Sequence, residues 1–277
     1  MLKVISFNIN GLRARLPQLQ ALIDKHQPDI IGLQEIKVAD DAFPLADIQA
    51  MGYQAHFYGQ KGHYGVALLS KQAPLRIEKG LPNEETDAQK RFIAGTFLLE
   101  NNEEITVVNC YFPQGENRNH ATKFPLKEKF YADLTEYFNQ RFKSNQKVIL
   151  MGDMNIGRKD QDIGIGEHNA KRWLQTGKCC FLPEERQWLE TLMQWGFYDS
   201  FRLHFPEIND RFSWFDYRSK GFEDEPKRGL RIDLILMSEG LKEFCKESGI
   251  DYELRALEKP SDHAPIWTTF EVDFSNS

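Results

Sequence analysis

Short apolar runs rich in β-branched residues recur along the whole chain, and this pattern most constrains its fold. Eight runs have the length and composition of buried strands: Lys3 to Phe7, Asp29 to Leu33, Gly65 to Leu69, Phe92 to Leu98, Glu104 to Tyr111, Lys147 to Met151, Arg231 to Met237 and Ile266 to Val272. Helical patterns lie between them: Leu12 to Ile23, Lys123 to Phe142 and Gln187 to Trp195. Strands mixed with helices predict one α/β domain over residues 1–273, with a frayed tail at residues 274–277.

Two of the predicted strands end in similar sequences. Val4 to Asn10 and Val148 to Asn155 are both apolar runs that finish in an Asx-x-Asn turn. This internal echo indicates that the fold contains two similar halves that face each other.

Composition places the chain among ordinary globular proteins. Hydrophobic residues make up 41% of its 277 residues and charged residues 27%, which excludes disordered and collagen-like chains. The net charge of −6 gives no overall positive field, so a polyanion must bind a local basic patch. No apolar run approaches the roughly 18 residues of a membrane span, and the N-terminus lacks a secretory segment. The four cysteines lack metal-binding spacing and indicate reduced thiols, so we expect a cytoplasmic protein without membrane partners.

Polar side chains stand at the ends of several predicted strands. Asn8 follows the first strand, Glu35 the second, and Asp153 the strand that begins at Lys147. Such groups commonly converge on one sheet edge, where ligands bind in α/β folds. Asp233 differs from these because it lies inside an apolar run, and a buried carboxylate needs a partner. Either His263 or a metal ion could supply that partner.

Taken together, these residues fit the chemistry of a hard divalent cation. Mg²⁺ prefers oxygen ligands and is usually held by one or two carboxylates together with substrate phosphate. Glu35 and Asp262, with amide support from Asn8, match that description, whereas the absence of clustered Cys and His argues against zinc. A phosphodiester substrate is then expected, with a carboxylate or a histidine positioning the attacking water.

Two basic segments and one aromatic segment are candidates for contact with a nucleic acid. The basic residues of the first segment are Arg118, Lys123, Lys127 and Lys129, and those of the second are Arg158, Lys159, Lys171, Arg172 and Lys178. Both segments could contact phosphates, or they could be ordinary solvated helix faces. The segment from Phe212 to Lys220 interleaves four aromatic residues with two cations, which suits stacking on exposed bases.

Eight motifs in the same order give the chain a resemblance to a known family. They are Phe7 to Ala14, Leu33 to Glu35, Gly59 to Ala67, Tyr111 to Gly115, Gly152 to Asn155, Arg211 to Phe222, Leu230 to Asp233 and Ser261 to Pro265. Over nearly its whole length the chain resembles the exonuclease III and AP endonuclease family of the endonuclease/exonuclease/phosphatase superfamily. The resemblance implies a four-layer α/β sandwich, in which two packed mixed β-sheets are flanked by helices and related by pseudo-two-fold symmetry.

The resemblance also implies roles for the polar residues at the strand ends. It implies a Mg²⁺ site, with Mn²⁺ as an alternative ion, formed by Asn8, Glu35, Asp153, Asn155, Asp262 and His263. The implied catalytic residues are Tyr111, Asp153, Asn155, Asp233 and His263. Asp153 would orient or deprotonate the attacking water, and either Asp153 or His263 would be the formal base. Asp233 would hold His263 against the scissile phosphate, and Tyr111 would contact the phosphate or assist the leaving oxygen.

The substrate implied by the resemblance is duplex DNA, bound by a monomeric enzyme of base excision repair. Members of the family remove nucleotides from 3′ ends, clear 3′ blocking groups and cut 5′ to abasic sites. The implied DNA-binding residues are Arg91, Gln114, Asn117, Arg118, Trp214, Phe215, Leu230 and Ile232. Trp214, Leu230 and Ile232 would form an apolar pocket for a flipped sugar, because an abasic residue loses little stacking when it leaves the duplex. His168 and the loop from Glu223 to Lys227 depart from the family pattern.

Two other classes of function could use part of the same residue set. A phosphatase or phospholipase of the same superfamily would share Asn8, Glu35 and Asp153, but the aromatic segment around Trp214 argues against it. A DNA-binding module without activity is the second alternative. The complete set of metal-binding and histidine–aspartate residues argues against that class.

Overall fold

A computed structural model describes residues 1–276, over which the chain forms two six-stranded β-sheets, a two-stranded ribbon and eight α-helices. The strands are β1 (Leu2–Asn8), β2 (Ile30–Gln34), β3 (Gln54–Tyr58), β4 (Val66–Ser70), β5 (Arg76–Lys79), β6 (Phe92–Leu98), β7 (Glu104–Tyr111), β8 (Lys147–Asp153), β9 (Ile163–Gly164), β10 (Phe197–Asp199), β11 (Gly229–Leu230), β12 (Asp233–Ser238), β13 (Cys245–Ile250) and β14 (Ile266–Phe270). The helices are α1 (Leu16–His26), α2 (Leu45–Ala50), α3 (Lys123–Arg141), α4 (Glu167–Thr176), α5 (Pro183–Met193), α6 (Ser200–His204), α7 (Glu239–Lys242) and α8 (Tyr252–Arg255).

The two large sheets have the same strand arrangement. The first has the order β13-β14-β1-β2-β4-β3 and the second the order β10-β12-β8-β7-β6-β5. In each sheet the central pair is parallel, β1 with β2 and β7 with β8, and the flanking pairs are antiparallel. β1 and β8 therefore occupy equivalent positions, which confirms the pseudo-two-fold relation that the repeated Asx-x-Asn endings predict.

Apolar side chains on both faces of each sheet produce four layers. Between the sheets, Val4 and Leu68 of the first sheet pack with Val107 and Ile149 of the second in one buried cluster. Successive residues of a strand point to opposite faces, so Ile5 packs outward against α1 instead. On the outer face of the second sheet, Leu150 packs with residues of α3 and α5. The predicted four-layer α/β sandwich is confirmed, and the single domain over residues 1–273 stays a prediction.

The helical pattern predicted from Lys123 corresponds to α3. Its stripe of Phe130, Leu134 and Phe138 is buried against the second sheet, and Phe142, just beyond the helix, is partly buried there. This side of α3 fixes the helix directly behind the ends of β7 and β8. α3 therefore lies behind the strand ends that carry Tyr111 and Asp153.

The end of the chain differs from the prediction of a frayed tail. Phe274 forms a bridge with Leu99, and its ring lies 5.4 Å from that of Phe97. The amide of Ser275 donates to the carbonyl of Leu98 at 3.0 Å. Pairing and aromatic burial therefore attach residues 274–276 to the domain, and Ser277 lies outside the described residues. Within the described part of the chain, no helix combines the length and apolar character needed to cross a membrane.

Candidate active site

The polar ends of β1, β2, β7, β8 and β12 meet in one cleft of about 540 Å³. Tyr111 at the end of β7 lies opposite Asp153 at the end of the parallel strand β8. Asp233 at the start of β12 is paired with Asp153 across the antiparallel ladder. The cleft lies where the carboxyl ends of the central parallel pairs of both sheets meet, as predicted for an α/β fold.

Asn8 links the two sheets at the floor of the cleft. Its Nδ2 donates to Glu35 Oε1 at 2.9 Å and to Asp153 Oδ2 at 2.9 Å. Glu35, Asp153 and His263 each place one oxygen or nitrogen within 4.8 Å of the other two. Asn8 thus acts here as a donor that holds both carboxylates together.

The buried position of Asp153 changes its acidity. Burial raises the pKa of its carboxyl group to about 7; Asp233 and Glu35 act in the same direction, and His263 and the Asn8 hydrogen bond oppose them. Such a group titrates close to neutral pH, where a general base is most effective. A positive charge beside Glu35 and Asp153 would favour the ionised form of both carboxylates.

His263 and Asp233 form a buried pair beside that carboxylate. Nδ1 of His263 lies 2.7 Å from Asp233 Oδ2, and its Nε2 lies 3.5 Å from Asp153 Oδ2. Burial alone would lower the pKa of His263, but Asp233, Asp153 and Asp262 together raise it well above the ordinary value. Asp233 therefore has, in His263, the partner that its place in an apolar strand requires.

Two residues of the site adopt a left-handed backbone conformation. Glu35 has φ +49° and Asn155 has φ +53°, which is uncommon for residues other than glycine. Asn155 is held by its own amide, which donates to Asp153 Oδ1 at 3.1 Å, and by its Nδ2, which donates to the carbonyl of Phe112 at 2.8 Å. These bonds hold the chain in a sharp turn from Asp153 to Asn155. The turn directs the side chains of Asp153 and Asn155 into the cleft.

Tyr111 stands beside the carboxylates and is supported by Arg91. The guanidinium of Arg91 lies 5.0 Å from the ring of Tyr111 and donates to its carbonyl at 3.1 Å. Burial, followed by the charges of Glu35 and Asp153, raises the pKa of Tyr111 well above its ordinary value. The hydroxyl consequently keeps its proton and is a hydrogen-bond donor at neutral pH.

Asp262 lies in the same cleft but outside the cluster of Glu35, Asp153 and His263. Its Oδ2 accepts from Nε1 of Trp214 at 3.2 Å, and its Oδ1 accepts from Nδ2 of Asn10 at 3.3 Å. Oδ1 is 4.0 Å from Nε2 of His263. The structure therefore places Asp262 next to the histidine and the indole, and its role in metal binding stays a prediction.

Comparison with known proteins identifies the family of the chain. The family described as Endonuclease/Exonuclease/phosphatase family matches residues 5–263. The chain belongs to this family. Exodeoxyribonuclease III of Haemophilus influenzae is 59% identical over 270 residues, which cover 98% of this chain and 100% of that protein.

Solved structures of related enzymes share the fold. A 3′ phosphatase from Neisseria, solved with a product DNA hairpin, is 38% identical with a TM-score of 0.87, covering 98% of this chain and 100% of the other. An AP endonuclease from Archaeoglobus fulgidus is 31% identical with a TM-score of 0.88, at the same coverage. The fold of this endonuclease/exonuclease/phosphatase family member is thus that of DNA-processing relatives.

One wall of the cleft is apolar, as the predicted sugar pocket requires. Leu230 and Ile232 pack with Ile165 and Phe181, and Trp214 and Trp173 are partly buried against them. Trp214, Leu230 and Ile232 all line the cleft. The prediction that Phe215 contacts DNA is wrong, because its ring is fully buried among Phe212, Phe222 and Tyr252.

The remaining predicted DNA-binding residues lie at the cleft entrance or beside it. Gln114 is exposed and lines the cleft, and its Oε1 accepts from the amide of Glu116 at 2.6 Å. Asn117 donates to the carbonyl of Thr176 at 2.8 Å, and Arg118 pairs with Glu184 at 2.8 Å. Contact of these residues with DNA stays a prediction.

The first basic segment is not an open phosphate-binding face. Each of its four cations is paired with a carboxylate, and Lys127 is fully buried. In the second segment Arg172 and Lys178 line the cleft, so this segment is the better candidate for phosphate contact.

Two contributors to the site were not predicted from sequence. The hydroxyl of Ser213 accepts from the amides of Ile232 and Asp233, both at 3.0 Å, and so fixes the start of β12. Asn10 reaches Asp262 and accepts from Lys37 at 2.6 Å. Both residues lie within the family motifs quoted above. Their place in these motifs is the one sequence signal that could have identified them as part of the site.

Proposed function

We propose that this chain is a DNA repair nuclease that hydrolyses phosphodiesters in duplex DNA. The observation that carries this proposal is the joining of Glu35 and Asp153 by Asn8, directly beside the Asp233–His263 pair. Relatives of the chain are named as an exodeoxyribonuclease III, a 3′ phosphatase and an AP endonuclease. From these names we infer three reactions: 3′-to-5′ exonuclease, removal of 3′ blocking groups and cleavage 5′ to abasic sites.

The buried residues divide the work of hydrolysis among them. Asp153, which a neighbouring cation would keep ionised, accepts the proton of the attacking water. Asp233 fixes the ring of His263, whose Nε2 lies beside Asp153 and can donate to a phosphoryl oxygen. The neutral hydroxyl of Tyr111 donates a hydrogen bond to the phosphate or to the leaving oxygen, and Asn155 orients the water beside Asp153.

The donor set also suits a hard divalent cation. Glu35 and Asp153 offer two carboxylates in a polar cleft, which is the ligand type that Mg²⁺ prefers. We assign the ion to Glu35 and Asp153, with Asn8, Asn155 and Asp262 nearby, because these groups offer the oxygen ligands that a hard cation prefers. Mg²⁺ would neutralise charge on the phosphoryl oxygens, and Mn²⁺ has the same ligand preference.

We infer a preference for abasic sites from the apolar wall. A sugar without a base can lie against Trp214, Leu230 and Ile232, and it costs little to extrude from the duplex. One cleft of a single chain holds both the polar cluster and the apolar wall, so we propose that the enzyme is active as a monomer. The buried, unpaired thiols of the described chain fit a reducing compartment such as the cytoplasm.

Metal removal tests the proposed function directly. With a chelator, incision of a duplex carrying one abasic site should fall to background, and Mg²⁺ should restore it, because Glu35 and Asp153 cannot neutralise the phosphate themselves. The measurement is the rate of incision on a sequencing gel, with an intact duplex of the same sequence as control. Metal-independent incision, or Mg²⁺-dependent cleavage of a phospholipid with no cleavage of DNA, would contradict the proposal.

Trp214→Ala tests the apolar wall. We expect abasic-site incision to fall by about 10- to 100-fold, the order of the stacking energy that one aromatic contact with nucleic acid supplies, while exonuclease activity on the same preparation falls less. The measurement is the ratio of the two rates. Trp195→Ala is the matched control, because Trp195 packs on Phe138 and Phe197 outside the cleft and should lower stability without changing the ratio. An unchanged ratio in Trp214→Ala would assign Trp214 to packing alone.

A further inference from the structure

A fully buried lysine lies immediately behind the catalytic turn. Lys127 of α3 has no exposed side-chain surface, which is rare for lysine. Its Nζ pairs with Glu185 of α5 and donates to the carbonyl of Asn155 at 2.7 Å and to that of Gln114 at 3.1 Å. These three partners use all three donors of the ammonium group.

Both carbonyls belong to segments that carry site residues. Asn155 ends the turn that begins at Asp153, and Gln114 belongs to the loop that follows Tyr111. One helical turn after Lys127, the hydroxyl of Tyr131 donates to the carbonyl of Met154 at 2.6 Å. α3 therefore bonds two consecutive carbonyls of the catalytic turn from the side opposite to the cleft.

Gly115, in the loop that follows Tyr111, shows how closely this loop packs on Lys127. Gly115 has φ +86°, and a Cβ added there would lie 3.0 Å from Cδ of Lys127 and 3.2 Å from Sγ of Cys179. A residue with a side chain would push the loop away from Lys127. The glycine thus permits the close approach on which the bond to the Gln114 carbonyl depends.

Stability alone does not require this arrangement. A buried ion pair is often replaceable by apolar residues of similar volume at no cost, because removing two charges from water is expensive. Lys127 and Glu185 lie 58 residues apart, on two helices that already pack through apolar side chains. The bonds from Lys127 to backbone carbonyls are the feature that an apolar pair would not reproduce.

We propose that Lys127, together with Tyr131, is a positioning residue for phosphodiester hydrolysis. By holding the carbonyls of Met154, Asn155 and Gln114, the two side chains fix the turn that directs Asp153 and Asn155 into the cleft. Displacement of a catalytic group by about 1 Å can cost about 100-fold in rate. The inference rests on the hydrolytic function proposed above.

The main test compares two double variants that both lack the charged pair. K127M/E185L replaces it by apolar residues, and K127Q/E185Q replaces it by amides that can still donate to a carbonyl. We expect K127M/E185L to lose about 10- to 100-fold in kcat on the abasic duplex with KM unchanged, and K127Q/E185Q to recover most of that loss. Unfolding midpoints measured in parallel separate positioning from instability.

A second test does not disturb the ion pair. Tyr131→Phe removes the bond to the carbonyl of Met154 and should lower kcat about three- to tenfold at constant KM. Tyr137→Phe is the matched control on the same helix, because its hydroxyl lies 3.4 Å from Glu78 and away from the catalytic turn, and its kcat should not change.

The outcomes distinguish this inference from the proposed function. Equal kcat values for the two double variants at equal stability would overturn the positioning role. If K127M/E185L does not fold, the tyrosine pair decides, and a Tyr131→Phe enzyme with the kcat of Tyr137→Phe overturns it. Absence of DNA cleavage by the unaltered enzyme with Mg²⁺ would instead refute the proposed function.

Discussion

Replacing Asp153 by Asn should reduce kcat on the abasic duplex by about 10²- to 10⁴-fold, the usual contribution of a general base. The amide has nearly the same shape but cannot accept the proton of the attacking water. The affinity for duplex DNA should change little, because Asp153 is buried at the floor of the cleft and the apolar wall and entrance residues remain. Single-turnover cleavage and equilibrium binding, measured on the same duplex, provide the two quantities.

The same substitution should not destabilise the protein when divalent cations are absent. A carboxyl group whose folded pKa is about 7 favours unfolding once the pH rises above the pKa of the unfolded chain, and this cost is fully present above the folded value. Asn removes the cost, but its Nδ2 then faces one of the two donors that bond the carboxylate oxygens, so above pH 7 the thermal midpoint should stay close to that of the unaltered protein. Asp133→Asn, an exposed carboxylate of α3, is the control for kcat. A kcat within about tenfold of the unaltered enzyme would exclude Asp153 as the base.

The strands that sequence could predict are those buried on both faces. Runs such as Val148 to Met151 are continuously apolar because helices cover one face of the sheet and the other sheet covers the second. The missed strands β3, β5, β10 and β13 lie at sheet edges, and several carry polar residues such as Glu78 and Glu247. An edge strand exposes one side to water, and its apolar signal is correspondingly weak.

The candidate site could be located from sequence because its polar residues interrupt or follow buried strands. What sequence could not give is which groups bond to one another across long separations. In the sequence, Lys127 resembles a solvated lysine on a helix. Only the folded structure shows that Glu185 and the turn at Asn155 lie against it. Phe215 and Trp214 are neighbours in one aromatic segment and cannot be distinguished from sequence. The path of the backbone places the ring of Trp214 at the cleft and buries the ring of Phe215.

A second cluster of buried charged residues, which lies beneath the apolar wall, was also not predicted from sequence. Arg231 directly precedes Ile232, and its side chain is 1% exposed. Nε donates to Asp162 Oδ1 at 2.7 Å and Nη1 donates to Asp199 Oδ1 at 3.1 Å. Burial opposes ionisation of Asp162, but Arg231 and Arg202 outweigh it and lower the pKa of that carboxyl group. Arg231 and Arg202 thus balance the charges of Asp162 and Asp199, two carboxylates that have little access to water.

Arg231→Met should therefore lower the free energy of unfolding by about 3–5 kcal/mol, because it leaves buried charge uncompensated. Chemical denaturation measures this loss. Arg76→Met is the matched control, since Arg76 pairs with Glu104 at 2.8 Å in an exposed position and its loss should cost about 0.2–1 kcal/mol. Part of the Arg231 effect should also be lost on acidification, because the contribution of Asp162 exists only above its lowered pKa. Equal destabilisation by the two substitutions would show that the buried cluster contributes no more to stability than a surface ion pair.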